Sequence, residues 1–252
     1  MFADLIATLN KTVIPQTMPV AVKIVREKID LPKIKVTTRM MSICQQIAIS
    51  RYYGWSTLSS RENSYCVLGA SCSGLIKTPS RVLDGEVNCY VYQRDTESAK
   101  NMQEKMPRIP YGTSHVVTYP ITRPIENLTP DLIVMYVNSA QAMRFIQAFL
   151  YRDGGEFIFK SSGDAGVCSR GVAEVYNTGK PTIEIPCLGD RRFAMAQDFE
   201  IIVSFPFSYI NYLIEGLEAT HKNGIRYPIP FQIPEMCDLP DSYITNKDDF
   251  KN

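Results

Sequence analysis

The sequence predicts a mixed α/β fold, a mixed β-sheet with helices packed on it, and two observations lead there. Short segments of unbroken or alternating apolar residues take turns along the chain with longer segments whose apolar residues recur every three to four positions. Length is the second, because 252 residues can bury roughly 70 to 75% of the unfolded surface in one core without disulfide or metal staples.

The elements follow in order. Met1 to Leu9 is apolar but interrupted by Asp4 and lacks a basic leader, so it reads as a helix and not as a signal peptide. Val20 to Val25 reads as a strand, 42–53 and 95–105 as helices, and Val116 to Tyr119 as a strand. The clearest unit spans Asp131 to Lys160. Leu132 to Val137 is apolar throughout, which suits a strand covered on both faces. Ser139 then offers a helix cap, with Ala142, Phe145, Ile146, Phe149 and Leu150 on one face and Gln141 and Arg144 pointing elsewhere. Gly154-Gly155 ends that helix and Glu156 to Lys160 alternates, so 131–160 is expected to form a right-handed βαβ unit. A helix at 165–176, strands at Thr182 to Ile185 and Glu200 to Phe205, and a helix at 208–222 complete the set. Ser208 is expected to cap the last helix, whose stripe is Ile210, Leu213, Ile214 and Leu217.

No repeat or linker divides the chain, so residues 1–226 are expected to form a single domain. The Pro-rich stretch 227–252 reads as an extended tail, free to wrap over a neighbour such as a second copy in a homodimer. A net charge of +1 without a basic run argues against nucleic acid as a partner. No apolar run approaches the ~18 residues of a membrane span. A soluble cytoplasmic protein is the expectation, and in a reducing compartment its seven cysteines are buried, catalytic or metal-bound before they are disulfide-paired.

No two cysteines have C-x-x-C spacing, so position carries the signal. Ser42-Ile43-Cys44-Gln45 fits a capping box that puts Cys44 in a first helical turn. Ser64-Tyr65-Cys66 repeats the arrangement, and Gly163 to Cys168 places another thiol where a strand hands over to a helix. A helix N-terminus carries about half a positive charge and favours thiolate. Cys187 lies in Pro186-Cys187-Leu188-Gly189-Asp190-Arg191, past a strand and beside positive charge.

Met18 to Lys23, Ile43-Cys44-Gln45, Tyr65 to Gly69, Ser139 to Arg144, Gly163 to Cys168 and Pro186 to Arg191 together resemble the archaeal and bacterial family called domain of unknown function 169, over about residues 15 to 220. The resemblance implies that Cys44, Cys66, Cys168 and Cys187 occupy the family's recurrent cysteine positions, whereas Cys72, Cys89 and Cys237 do not. Four such thiolates match a [4Fe-4S] cluster or a tetrahedral zinc site. Sulfur softness and the family's abundance in anaerobes favour the cluster, hence an iron–sulfur protein of anaerobic metabolism with a redox or small-molecule role and an electron-transfer partner. A three-cysteine version would leave one iron open, with Asp190 in reach.

Other chemistry is thinner. Arg144 and Arg191 are candidates to contact a small acidic ligand or a cluster sulfur. Ser161-Ser162-Gly163-Asp164-Ala165-Gly166 could hold an anion on exposed N–H groups, yet lacks both the dinucleotide and P-loop fingerprints, so an ordinary helix cap is the stronger reading. His221 is expected to complement a helix C-terminus and His115 to be structural. Two further functions stay open: a cofactor-free thiol enzyme with Cys168 or Cys187 as nucleophile, and a non-catalytic assembly module using the tail and the apolar surface around Phe205-Pro206-Phe207.

Overall fold

The computed structural model describes residues 1–27, 34 and 39–229. Its centre is a six-stranded sheet built from β1 (Val20–Val25), β2 (Thr57–Ser59), β3 (His115–Pro120), β4 (Leu132–Val137), β5 (Thr182–Glu184) and β6 (Ile201–Pro206), in the order β2-β3-β1-β4-β6-β5. Both faces are covered, and the pleat divides them. Leu132, Val134 and Tyr136 of β4 join one apolar core, while Ile133, Met135 and Val137 join the other. Helices α1 (Phe2–Thr12), α6 (Ser139–Phe149) and α9 (Ile210–Lys222) cover the second core. The first is covered by α2 (Ile43–Tyr53), α3 (Val67–Cys72), a π-helix at Gly166–Glu174 and α8 (Leu188–Ala194). Three shorter or outlying helices are α4 (Ser80–Leu83), α5 (Thr96–Lys105) and α7 (Val175–Thr178).

The expected α/β class and helix-covered sheet hold, but the βαβ unit does not. β4 pairs antiparallel with both β1 and β6, and every pairing between the named strands is antiparallel, so the sheet is not mixed in direction. Residues 156–160 form no strand, and Ile158 and Phe159 face solvent. The error has a physical source. A strand buried on both faces has the same unbroken apolar signature whether its neighbours run parallel or antiparallel.

Smaller corrections concern the caps. Asn138, not Ser139, caps α6: its side chain accepts from the Gln141 N–H at 2.8 Å, and the Gln141 amide oxygen accepts from the Asn138 N–H at 2.9 Å. Ser208 lies within a 3₁₀ turn, Phe207–Tyr209, ahead of α9. Phe205 and Pro206 are buried and the half-buried Phe207 packs on Phe2 at 5.3 Å, so most of the apolar surface assigned to Phe205-Pro206-Phe207 is covered. Of the expected tail, Tyr227 accepts a hydrogen bond from the Asn138 side chain at 2.8 Å, and 230–252, with Cys237, lies outside the described residues.

A buried ion pair pins the first core to the sheet. The Arg51 guanidinium on α2 pairs with Glu200 just ahead of β6, donates to Thr17 at 2.7 Å and sits 4.0 Å over the Tyr136 ring. Opposite, α6 and α9 approach so closely that a Cβ on Gly216 would stand 2.4 Å from the Ala148 carbonyl oxygen.

Candidate thiol-lined site

Four helix beginnings bring four sulfurs to one cavity. Ser42 caps α2 by accepting from the Gln45 N–H at 3.3 Å, Gln45 returns the bond at 3.0 Å, and Cys44 on the first turn lies 3.0 Å from the Ser42 hydroxyl. Cys66 is itself the cap of α3, its sulfur accepting from the Gly69 N–H at 3.5 Å. Cys187 caps α8, and Cys168 sits in the first turn of the π-helix. The π-helix is entered through Ala165 in the left-handed region, φ 49°.

Asp190 ties two of these ends together. Its Oδ2 accepts from the Cys187 N–H and the Val167 N–H, each at 3.1 Å, while its buried Oδ1 has no protein partner. Gly166 is required where the two elements meet, because a Cβ there would stand 2.6 Å from that same Oδ2.

Cys44, Cys66, Cys168 and Cys187 line a single cavity of about 480 Å³, together with Asp190 and Asp164. Tyr65, Leu188 and Phe193 border it and are largely exposed, which gives it an aromatic and aliphatic rim. Asp164 comes from the segment read as an anion cradle. Its Oδ2 accepts from Asn88 at 2.7 Å, Asn88 accepts from Gln103 at 2.7 Å, and Gln103 is bonded to Arg108. Sequence reasoning passed over this chain of polar groups, and nothing local in the sequence marks it, since Asp164 and Asn88 are 76 positions apart.

For Cys44, Cys168 and Cys187 the expectation of thiolates at helix ends is overturned by burial. Desolvation, with the nearby Asp190 charge second, pushes the Cys44 and Cys187 thiols up to about 12. Cys168 is raised well beyond the ordinary range, by burial first and by Cys72 second. Burial also lifts Asp190 above the usual carboxylate range against the N–H groups that lower it. Partial helix charge is the smaller effect for these three, so without a compensating cation Cys44, Cys168 and Cys187 keep their protons.

Among the described residues no three His, Cys, Asp or Glu side chains converge closely enough to hold a single metal ion. Tetrahedral zinc at ~2.3 Å from each sulfur needs sulfur atoms roughly 3.8 Å apart. A cubane cluster carries its ligands on four separate irons and accepts a wider set.

The arginines fall elsewhere. Arg144 is buried on the other face of the sheet, donating to the Leu217 carbonyl at 3.2 Å and to Gln147 at 3.0 Å, so it does not reach the cavity and does not point away from the core as expected. Arg191 donates to the Gln197 carbonyl at 2.7 Å and lies 3.5 Å from Asp198. Of the three proposed ligand contacts only Asp190 lines the cavity. His115 contacts Ser114 at 3.2 Å. His221 lies in the last turn of α9 as expected, where burial first and Lys11 second lower its pKa. Cys72 is buried behind the cavity and Cys89 is half-buried, neither lining it.

No helix among the described residues is long and apolar enough to cross a membrane. A protein of Methanocaldococcus jannaschii, "Uncharacterized protein MJ0308", is 27% identical over 202 residues, covering 79% of this chain and 86% of its own. No solved structure matches the chain. A family model, DUF169, described as "Uncharacterised ArCR", matches residues 8–216. Spanning both faces of the sheet and all four cavity cysteines, that match means the chain belongs to the DUF169 family.

Proposed function

We propose that the protein holds a [4Fe-4S] cluster on Cys44, Cys66, Cys168 and Cys187 and serves a redox or small-molecule role in anaerobic metabolism. One observation carries the reading: four thiols that are scattered over the sequence line the same cavity. Soft sulfur donors suit iron–sulfur clusters, and buried thiols that keep their protons when bare are stabilised as thiolates by a bound cation. When bound, the cluster supplies one-electron transfer at a potential set by its charge, burial and hydrogen bonds. The protein's part is to exclude water and to hold the sulfurs, with the Gly69 N–H directed at Cys66. The exposed rim of Tyr65, Leu188 and Phe193 offers an electron-transfer partner its approach.

A thiol enzyme without cofactor is disfavoured by the same burial, which keeps Cys168 and Cys187 in the weakly nucleophilic protonated form. Anaerobic purification tests the proposal. About four irons and four sulfides per chain are expected, with a broad visible absorption that disappears in Cys168→Ser and persists in Cys89→Ser. A colourless, iron-free, folded protein under those conditions overturns it.

A further inference from the structure

A second hollow of about 540 Å³ is lined by Lys105, Ser98 and Asn101 of α5, by Lys160 and Ser162, and by Arg170 of the π-helix. We propose that it binds the phosphate group of a small organic ligand. The inference is independent of the cluster, although the segment that runs through the hollow continues to Asp164 and Cys168 of the thiol cavity.

Charge is the first argument. Three cations line the hollow and no carboxylate does. Arg170 is partly balanced by Glu174 at 3.0 Å, but among the described residues neither Lys105 nor Lys160 meets an acid within ion-pair distance. Like charges gathered in a concavity repel one another unless an anion sits among them. Construction is the second argument. Arg170 is buried, with only 6% of its surface exposed, and its Nη2 donates to the Lys105 carbonyl at 3.1 Å and lies 3.5 Å from the Ser162 hydroxyl. It thereby joins the two walls that carry the lysines. Its Nε finds no protein acceptor.

An anion cradle on the backbone was the weaker reading of the serine-rich segment, behind an ordinary helix cap. Two of its N–H groups are otherwise engaged, Gly163 with Ser161 at 3.4 Å and Ala165 with Asp164 at 2.8 Å. Side-chain ammonium groups and the Ser162 hydroxyl take that role instead. A phosphate bearing two negative charges and several acceptor oxygens matches this set, since each ammonium offers three donors and no acceptor. The remaining space accommodates an organic body lying along Met102 and Gln93.

Calorimetric titration of the full chain with pyrophosphate, at low and then raised salt, tests the site. Saturable binding is expected, weakened by salt and weakened about tenfold or more in Lys105→Ala/Lys160→Ala, because charge-assisted hydrogen bonds to the phosphate are lost. Both lysines are exposed, so the variant should melt at the parental temperature, which separates lost binding from lost folding. Absence of saturable heat in the parent, or equal affinity in a folded variant, overturns the proposal.

Discussion

At the scale of single residues, burial decides the behaviour of the sulfurs. The thiols of Cys44, Cys72 and Cys187 lie near 9.0 in the open chain and are pushed to about 12 in the folded one, chiefly by desolvation. A folded value above the unfolded one means that stability is whole below pH 9 and is lost as the pH climbs towards 12. Each thiol contributes a slope of about 1.4 kcal/mol per pH unit across that window. Urea midpoints of the reduced, metal-free protein are therefore expected to fall steeply between pH 9 and about 11, and Cys72→Ala is expected to flatten the fall. A pH-independent midpoint would contradict the burial argument. Asp190 offers a second measurement. Asp190→Ala strands two buried N–H groups, those of Val167 and Cys187, and is expected to cost about 2 to 4 kcal/mol in chemical denaturation. Cys44 was legible in the sequence because Ser42 and Gln45 announce their cap locally. Cys187 and Asp190 form the equivalent box with a cysteine in the serine's place, which the familiar Ser/Thr pattern does not reveal.

Elements were legible where their period was strong. β1 and β4 occupy the expected residues, and α2 and α5 begin within one residue of expectation, because caps and apolar faces agree there. The π-helix was not legible as such. Its residues carry no period that separates it from an α-helix, and it packs against Asp190 and β5, which are distant in sequence. The three-residue β2 and the seven-residue α8 are too short for a periodic signal. Two glycines separate the roles of the helical layers. Gly166→Ala is expected to displace Asp190 and α8, with a loss of about 1 to 3 kcal/mol from overpacking and reduced iron retention. Gly216→Ala forces α6 from α9 and is expected to destabilise comparably, but with unchanged iron content per folded chain. Thermal unfolding followed by metal analysis compares the two.

For the whole molecule, the sequence disclosed a helix-covered sheet but not its directions, since strands buried on both faces lose the alternation that separates one side from the other. Nor did any spacing show that four helix beginnings would face one cavity. Similarity between sequences selected those cysteines, and the chain's long-range pairings bring them together. The Arg51–Glu200 pair belongs at this scale, because it couples the layer bearing Cys44 to the sheet. Glu200→Gln leaves a buried guanidinium without its counter-charge and is expected to cost about 3 to 5 kcal/mol in urea unfolding. The sheet also closes on brief margins: β2 and β5 contribute three residues each. So short a border offers an incoming strand little backbone to template on, which guards the molecule against edge-to-edge aggregation. If two copies associate, they are expected to meet through side chains of the helical layers and not by extending one sheet into the next.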